Sequence, residues 1–484
     1  MKSSRLESSI KIRKVLKRCI PFCVFLATLL ISGYFSTIGA DSEHDGVLAK
    51  PAMDVASGRM LFRETFTQYG ALTTLIQAAS LNVFGKYLIT LKLVTAFFYG
   101  LISILLFLIL KKILPESIAF ICLVVWILLA PYYEVTFLIW SSVYALFFQL
   151  LGTWLLLIAF EKKASKFVFL GGVSTALVLW CRLPVGVFMF LAIVGFYIYA
   201  YFSKEIDAEE LKRGLFNFIL GSLGVHVLFL TWLGVNHALS DWWKQAILHP
   251  FLWSQLWHDN FTNDYLHRLF PGPYFISTIS LLPIATICVF IRNSKNKIIC
   301  LLAFVGLASW LQFYPVPCIR HQYWGGTPML GLLALLVYQV ANERLAGSSN
   351  ESKNGIKWLA IIIFITIFAQ DIDHRINAGI AKINKKYYFI DQPVFLKNIR
   401  LSKDEAEFYV STYQKIEKYF TDHPEGNVMA SGDAVLCLTF DARIKNFHPM
   451  SVNWITNVLV YPDYLKQLNQ YVKQNKPLEI HGTP

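Results

Sequence analysis

The stretch CIPFCVFLATLLISGYFSTIGA, residues 19–40, decides the fold class, because it is an apolar segment long enough to cross a bilayer. Residues 1–18 before it carry seven Lys/Arg and one acid, Glu7. This arrangement is typical either of a cleaved signal peptide, for which Ile38-Gly39-Ala40 provides a small-residue end, or of an uncleaved anchor. The length of the apolar run favours the anchor, with residues 1–18 as a basic cytoplasmic segment.

The composition of the whole chain agrees with a membrane protein. Of 484 residues, 55% are hydrophobic and 15% are charged, whereas about a quarter of residues are charged in soluble domains. A single soluble domain is therefore excluded. The net charge of +13 would suit a nucleic-acid partner, but basic cytoplasmic loops of a multi-pass protein produce the same excess.

Ten further apolar stretches have lengths near that of a membrane span, and they predict a bundle of about eleven spans. They lie at about 87–110, 117–130, 137–160, 166–181, 184–202, 214–235, 273–291, 298–314, 326–341 and 356–372. If the spans alternate, one side has 21 Lys/Arg including the amino terminus, and the loops of the other side have 8. The positive-inside rule makes the richer side cytoplasmic and argues against nucleic acid as the partner. An odd number of spans then predicts a carboxy terminus on the outer side.

Two outer segments are too long to be simple connections: the loop 41–86 and the tail 373–484. In the loop, residues 47–57 and 71–84 have helical periodicity and end at Gly58 and Gly85. We expect these two helices to lie along the membrane surface and to hold Glu43 and Asp45 over the bundle. The predicted transmembrane domain, residues 19–372, includes this loop.

The tail has soluble-like charge, with 14 Lys/Arg and 12 Asp/Glu, and predicts a small α/β domain. Ser402 and Glu405 have the spacing of a capping box. Strands are predicted at 428–431 and 478–480, and a second helix is predicted to open at Tyr461-Pro462. The predicted apolar faces of the two helices are Phe408, Ile416 and Phe420 in the first and Leu465, Leu468 and Val472 in the second.

Polar side chains recur at the predicted outer ends of the spans. The cluster Asp41-Ser42-Glu43-His44-Asp45-Gly46 directly follows the first span. Cationic side chains in other predicted outer segments are Arg63, Arg182, Arg320 and His321. Each of these residues alone suits an interfacial or headgroup contact. Together, cations and carboxylates on one face predict a site that binds an anionic lipid headgroup and acts on it.

Signatures of several other chemistries do not occur in the sequence. There is no G-x-x-x-x-G-K-[ST] loop, no G-x-G-x-x-G after a strand, no H-E-x-x-H and no G-x-S-x-G. The eight cysteines have no metal-binding spacing, and the sequence displays no ligand set for a divalent metal. Only Cys318 and Cys437 lie in predicted outer segments, where a disulfide is conceivable.

The first outer loop resembles that of the bacterial GT-C membrane glycosyltransferases. The resemblance lies in His44-Asp45-Gly46, in Leu61 to Leu72 with Phe62-Arg63-Glu64 and Gln68-Tyr69-Gly70, and in Phe84-Gly85. Weaker matches are Arg182-Leu183-Pro184 and the Arg320-His321 segment. The outline of spans followed by an outer domain resembles aminoarabinose transferases and protein O-mannosyltransferases. The sequence departs from the family where His44 replaces the first acid of an acidic pair and Ala71 replaces a proline.

This resemblance implies transfer of a sugar from a polyprenyl-phosphate donor to an acceptor hydroxyl by direct displacement, without a cofactor. Asp45 is the expected carboxylate base, and Glu43 is the second candidate. Arg63, Arg182, Arg320 and His321 are expected to bind the donor phosphate. His44, Gln68 and Tyr69 are expected to shape the sugar or acceptor pocket.

The resemblance also implies a multi-pass protein of the bacterial inner membrane whose active side is periplasmic. Its partners would be membrane lipid, the lipid-linked donor and an acceptor, which is a glycolipid, a polysaccharide or a protein. A polymerase or ligase of lipid-linked polysaccharides remains an alternative, because it uses related substrates. A transporter or flippase of lipid-linked saccharides is a further alternative, although the ionisable residues cluster at the outer ends rather than in mid-membrane.

Overall fold

The chain folds into a mainly α-helical bundle, here described from a computed structural model. The structure describes residues 2–256, 278–313, 318–345, 352–447 and 455–482. The beginning of the span predicted at 273–291, the last residue of the span predicted at 298–314 and residues 315–317 lie outside these residues.

Helices form where the sequence is apolar over many residues, and they account for most of the described chain. In order they are α1 (Lys2–Ser36), α2 (His44–Ala56), α3 (Ala71–Phe84), α4 (Leu88–Leu110), α5 (Glu116–Leu128), α6 (Ser141–Lys162), α7 (Ser165–Cys181), α8 (Leu183–Phe202), α9 (Ala208–Val235), α10 (Leu239–Trp242), α11 (His249–Leu256), α12 (Thr278–Arg292), α13 (Lys297–Trp310), α14 (Ile319–Gly326), α15 (Leu330–Leu345), α16 (Ser352–Asn384), α17 (Lys403–Asp422) and α18 (Tyr464–Asn475).

All eleven predicted spans correspond to described helices, and eight of these are long and apolar enough to cross a membrane. The three shorter ones are α7, α12 and α13. Two spans that look short in the sequence are longer in the structure. The third continues through a 3₁₀ turn as Glu116–Tyr133, and the tenth begins earlier, as Ile319–Glu343. Arg320 and His321 therefore lie on a helix and not in the predicted loop.

The outer loop forms the two helices predicted from its periodicity, although α2 begins at His44 rather than at residue 47. Gly58 and Gly85 follow the helix ends with φ of +92° and +99°, which explains the need for glycine there. Helix α2 packs against α3 on one side and against the 3₁₀ segment Gly432–Thr439 of the tail on the other. It is therefore enclosed between the bundle and the tail.

The tail contains both predicted strands, β1 (Val428–Ala430) and β2 (Leu478–Ile480), which pair in parallel with Val428 opposite Leu478. The predicted capping box is present at the start of α17, because Ser402 and Glu405 bond reciprocally. The second helix begins at Tyr464, three residues after the predicted start. Leu465 is exposed, whereas Tyr464 is buried, so the predicted apolar face was wrong at this position.

The two largest hydrophobic cores of the described residues organise the molecule. One is the interior of the bundle, and the other joins α2, α17, β1 and the 3₁₀ segment Gly432–Thr439. The boundary predicted at 372/373 falls inside α16, which runs through it without interruption. Residues 385–447 and 455–482 of the tail lie on one end of the bundle, which we call the covered end. Both cores meet there, around the residues between α1 and α2.

Candidate functional site

Residues 37–46, from the end of α1 to the first turn of α2, form a tight turn at the covered end that we call the corner. Gly39 has φ of +73°, a conformation that favours glycine. The amide of Gly39 donates to the carbonyl of Arg400 at 2.8 Å, and the amide of Arg400 donates to the carbonyl of Thr37 at 2.7 Å. The corner is thus hydrogen-bonded to the tail as well as to the bundle.

Asp45, the predicted base, lies on the buried side of the corner. Its carboxylate oxygen Oδ2 is 3.0 Å from Nζ of Lys92 on α4, and neither side chain has exposed surface. Nζ of Lys92 also donates to the carbonyls of Gly39 at 2.9 Å and Phe137 at 2.8 Å. The amide of Asp41 donates to the same Asp45 oxygen at 3.0 Å. Burial raises the pKa of Asp45 despite the opposing charge of Lys92.

Asp41 and His44 form an ion-pair contact on the accessible side of the corner. Oδ1 of Asp41 accepts the amide of His44 at 2.7 Å and lies 3.0 Å from Nδ1 of its ring. Burial disfavours both charges, but the mutual bond outweighs it, so the pKa of Asp41 is lowered and that of His44 is raised. The positive charge of Arg320 favours ionised Asp41 and opposes protonated His44.

Glu43 is half-buried at the rim of the corner, where the corner and the tail both contribute charge. Burial raises its pKa, and the negative charges of Asp41 and Asp433 act in the same direction, against the charge of His44. Asp433 belongs to the tail, so the tail contributes to the electrostatics of this rim. A carboxyl group with a raised pKa exchanges protons more readily near neutral pH.

An aromatic wall separates the corner from a group of cations. The Trp140 ring centroid is 5.4 Å from the ring of His44 and 5.4 Å from the ring of Tyr69. Gln68 donates to the hydroxyl of Tyr69 at 3.2 Å. Burial raises the pKa of Tyr69 to about 12, so its hydroxyl keeps its proton at neutral pH. The predicted pocket residues His44, Gln68 and Tyr69 therefore lie together around Trp140.

Arg182 and His321 lie beyond Tyr69, at the junction of α7, α8 and α14. Nη2 of Arg182 is 3.3 Å from Nε2 of His321, and Nη1 of Arg182 donates to the hydroxyl of Ser142 at the start of α6. The charge of Arg182 also acts on Tyr69. Helix packing thus brings together a guanidinium and an imidazole that are 139 residues apart.

Arg63 is not part of this group. Its guanidinium donates to the carbonyl of Asn236 at 3.0 Å and pairs with the adjacent Glu64 at 3.1 Å. It therefore ties the outer loop to the end of α9. Of the predicted phosphate-binding residues, Arg182 and His321 are in contact, Arg320 acts electrostatically on Asp41 and His44, and Arg63 lies elsewhere.

A cavity of about 120 Å³ lies on the opposite face of α14 from His321. Its apolar walls include Trp126, Leu282 and Phe368, and the Tyr323 ring stacks on that of Trp126 at 5.4 Å. Asp371 and Arg375 of α16 form its polar end, and Arg375 is more than nine-tenths buried. Arg375 pairs with Glu134 at 3.0 Å, so the cavity is mostly apolar and its polar end carries charges of both signs.

Asp41, Lys92 and Trp140 were not named as site residues from the sequence. Asp41 belongs to the acidic cluster after the first span, but nothing local shows that it, and not Asp45, faces outward. Lys92 is a cation inside an apolar span, which is itself a signal of a buried partner. In the sequence, Trp140 looks like the tryptophans that commonly lie at a membrane interface, so nothing marks it as a site residue. Their roles depend on packing between distant segments.

The cysteines and possible metal ligands add no further group to the site. Cys318 and Cys437 are both free thiols in the structure. Among the described side chains, no group of three or more His, Cys, Asp or Glu residues is arranged to hold a metal ion.

No family model matches the sequence, and no curated protein matches it. Solved structures do match. The archaeal oligosaccharyltransferase AglB from Archaeoglobus fulgidus, in complex with an inhibitory peptide and a dolichol-phosphate, aligns with a TM-score of 0.55 and 11% identity. That alignment covers 90% of this chain and 65% of AglB, so this chain spans less than two thirds of the AglB length.

ArnT from Cupriavidus metallidurans, bound to undecaprenyl phosphate, aligns with a TM-score of 0.52 and 12% identity, over 93% of this chain and 90% of ArnT. Its apo structure aligns with a TM-score of 0.51 and 10% identity, over 95% and 89%. At sequence identities this low, the structural similarity establishes the fold alone. The chain has the fold of the GT-C membrane glycosyltransferases, as its sequence resemblance predicted.

Proposed function

We propose that the protein transfers a sugar from a polyprenyl-phosphate donor to an acceptor hydroxyl at the covered end of the bundle. One observation carries this proposal. Proton-accepting side chains of the corner and the contacting pair Arg182 and His321 flank the same aromatic wall, formed by Trp140 and Tyr69. A glycosyl transfer needs these two kinds of group on opposite sides of the sugar.

The cations supply the donor side of the reaction. The leaving lipid phosphate gains negative charge as its bond to the anomeric carbon breaks. Arg182, Arg320 and His321 would stabilise that charge, and the guanidinium groups can bind phosphate oxygens in pairs. Removing one preorganised donor of this kind costs roughly 10²- to 10³-fold in rate in enzymes. We do not assign Arg63 to the phosphate, because it pairs with Asn236 and Glu64.

The aromatic wall supplies the sugar site. A pyranose or furanose ring has an apolar face, and aromatic side chains with a few polar groups are the usual lining of small-molecule sites. Trp140 and Tyr69 would pack against that face, and Gln68 would orient the Tyr69 hydroxyl towards a sugar hydroxyl.

The corner supplies the acceptor side. Asp45 has no exposed surface and is paired with Lys92, so we assign it to holding the corner in place. The groups that an acceptor hydroxyl can reach are Asp41, Glu43 and His44, which are partly exposed. A single displacement, with one of these groups taking the proton, would invert the anomeric carbon.

The amphipathic cavity beside α14 would accommodate the first isoprenyl units of the carrier. Two proteins of the same fold, AglB and ArnT, were solved with a dolichol-phosphate and with undecaprenyl phosphate. This supports a lipid-linked donor here. The positive-inside asymmetry supports a bacterial inner-membrane protein that works on the periplasmic side, with a glycolipid, a polysaccharide or a protein as acceptor.

The test is transfer by the purified protein in lipid nanodiscs. Radiolabelled undecaprenyl-phosphate hexoses and pentoses would be offered with a bacterial membrane lipid extract as the acceptor. We expect labelled product with the wild type and a loss of about 10²-fold or more in Arg182→Gln. The matched control is Arg292→Gln. Arg292 is an exposed arginine of α12 that pairs with Glu343 of α15, away from the site.

Three results would contradict the proposal. They are equal turnover in Arg182→Gln and Arg292→Gln, movement of labelled lipid across the membrane without sugar transfer, and polymerisation of lipid-linked oligosaccharide in place of single-sugar transfer. The second result would indicate a flippase, and the third would indicate a polymerase.

A further inference from the structure

The pair formed by His44 and Asp41 has the geometry of an oriented acid–base group. Nδ1 of His44 is 3.0 Å from Oδ1 of Asp41, and the same oxygen accepts the His44 amide at 2.7 Å. Both the ring and the backbone of His44 are therefore tied to one carboxylate. The ring nevertheless keeps 39% of its side-chain surface exposed.

The Asp41 contact selects one tautomer of His44. An ionised carboxylate only accepts hydrogen bonds, so Nδ1 of neutral His44 must carry the proton. Nε2 is then the nitrogen with a free lone pair, and no described residue is hydrogen-bonded to it. This is the arrangement in which a histidine takes a proton from a substrate hydroxyl while a carboxylate holds the ring.

The charges that act on His44 come from the corner and from α14. Asp41 and Glu43 of the corner favour the protonated ring, and Arg320 of α14 opposes it. Trp140, which precedes α6, packs against the ring without charge. Asp433 of the tail acts on Glu43. The balance raises the pKa of His44 above its ordinary value, although burial and Arg320 oppose the rise.

The other acidic groups of the corner fit the role of base less well. Asp45 is enclosed and paired with Lys92. Oδ1 of Asp41 already contacts the amide and the ring of His44. Because the pKa of Asp41 is also lowered, it is a poor proton acceptor. Glu43 remains accessible, but no hydrogen bond orients its carboxylate among the described residues.

We propose that His44 is the general base of the transfer and that Asp41 orients it, an assignment that rests on the proposed function. Nε2 of His44 removes the proton of the acceptor hydroxyl as its oxygen forms a bond with the anomeric carbon. The bond from that carbon to the phosphate oxygen breaks, and its electron pair leaves with the polyprenyl phosphate. The imidazolium is stabilised by Asp41 and later returns its proton to water.

The test uses the full chain in nanodiscs and the radiolabelled donors and lipid extract named above. His44→Ala is expected to lower kcat by about 10²- to 10⁴-fold and to leave the donor KM within about threefold. Added imidazole should raise the kcat of His44→Ala by at least about tenfold. His481→Ala removes another histidine that pairs with a carboxylate, Glu479, and should retain the wild-type kcat. His44→Gln provides a second variant of similar size if the alanine variant does not fold.

The role of Asp41 has a pH signature. In the wild type, kcat/KM should rise with pH through the pKa of His44. Asp41→Asn keeps an acceptor for the ring and the amide but removes the charge, so the rise should move to lower pH. Carbethoxylation of His44 by diethyl pyrocarbonate, followed by mass spectrometry, measures the same protonation without turnover and should shift in the same direction.

The outcomes separate this proposal from the proposed function. Sugar transfer with equal kcat in His44→Ala and His481→Ala would overturn the assignment of His44 alone. A loss without imidazole rescue, with an unshifted pH profile in Asp41→Asn, would also overturn it, because that pattern indicates a structural role. Absence of transfer by the wild type would contradict both proposals.

Discussion

The ammonium group of Lys92 lies 3.0 Å from the carboxylate of Asp45, and both side chains are completely buried. Lys92 belongs to α4, a membrane span, whereas Asp45 lies in the first turn of α2. The pair therefore fastens the corner to the bundle. Because the same ammonium binds the carbonyls of Gly39 and Phe137, it also joins the corner to the segment that precedes Trp140.

Removing one member of this pair should destabilise the protein strongly. Lys92→Met leaves Asp45 buried without a counter-charge, and breaking buried pairs in this way costs about 3–5 kcal/mol. The double variant Lys92→Met with Asp45→Asn should lose less than the sum of the single variants. Unfolding in mixed detergent micelles measures these differences. Lys86→Met, whose exposed ammonium contacts Ser57, is the control and should change stability by less than about 0.5 kcal/mol. Additive losses in the double variant would contradict the coupling.

Trp140 should contribute to donor binding. Trp140→Ala removes the central ring of the wall and should raise the donor KM by about three- to tenfold, because aromatic packing contributes about 0.5–1.5 kcal/mol. Trp140→Phe should retain most of the affinity. Trp358 is exposed on α16, so Trp358→Ala is the control. An unchanged donor KM in Trp140→Ala would remove Trp140 from the sugar site.

Glu43 should make the folded state less stable as pH rises. Burial raises its folded-state pKa above 4.5, so the folded protein binds more protons than the unfolded chain between these two values. The free energy of unfolding therefore falls as pH rises from about 4.5 through the folded-state pKa. Glu43→Gln should have a higher Tm than the wild type at pH 7, and the difference should disappear towards pH 4. Thermal melts across this range measure it. A difference independent of pH would contradict this origin.

The tail should hold the corner through Tyr409. Its hydroxyl donates to the carbonyl of Ala40 at 3.2 Å, and the amide of Leu436 donates to the carbonyl of Ser42 at 2.9 Å. Gly46 allows this approach, since a Cβ there would lie 2.4 Å from the Leu436 nitrogen. Tyr409→Phe should therefore cost about 0.5–1.5 kcal/mol and lower kcat, because small displacements of catalytic groups are costly.

Tyr419→Phe is the matched control for this prediction. Tyr419 lies on the same helix, and its hydroxyl donates to the carbonyl of Lys476, away from the corner. Hydrogen exchange of residues 37–46 should accelerate in Tyr409→Phe and remain unchanged in Tyr419→Phe. Equal exchange in the two variants would show that the tail does not hold the corner.

The sequence anticipated features that depend on near neighbours in the chain. The apolar runs predicted eleven helices, and the capping box at Ser402 and the glycines after α2 and α3 predicted helix ends correctly. These succeed because periodicity and capping act within a few residues. The limits of α14 were missed, because the polar residues Arg320 and His321 look like loop residues until the neighbouring helices enclose them.

By itself, the sequence determined that this is a helical membrane protein with charged residues collected at the ends of its spans. Only the tertiary structure decided which charges meet. Lys92 pairs with Asp45 in the interior, and Asp41 pairs with His44 on the accessible side of the corner. Arg63 bonds to the carbonyl of Asn236, away from both pairs. The physical reason is the range of the forces. Hydrophobicity and helix propensity act locally, whereas each of these pairings depends on how α2, α4, α9 and α14 pack against one another. Burial then decides whether a charged side chain has a structural role or is available for chemistry.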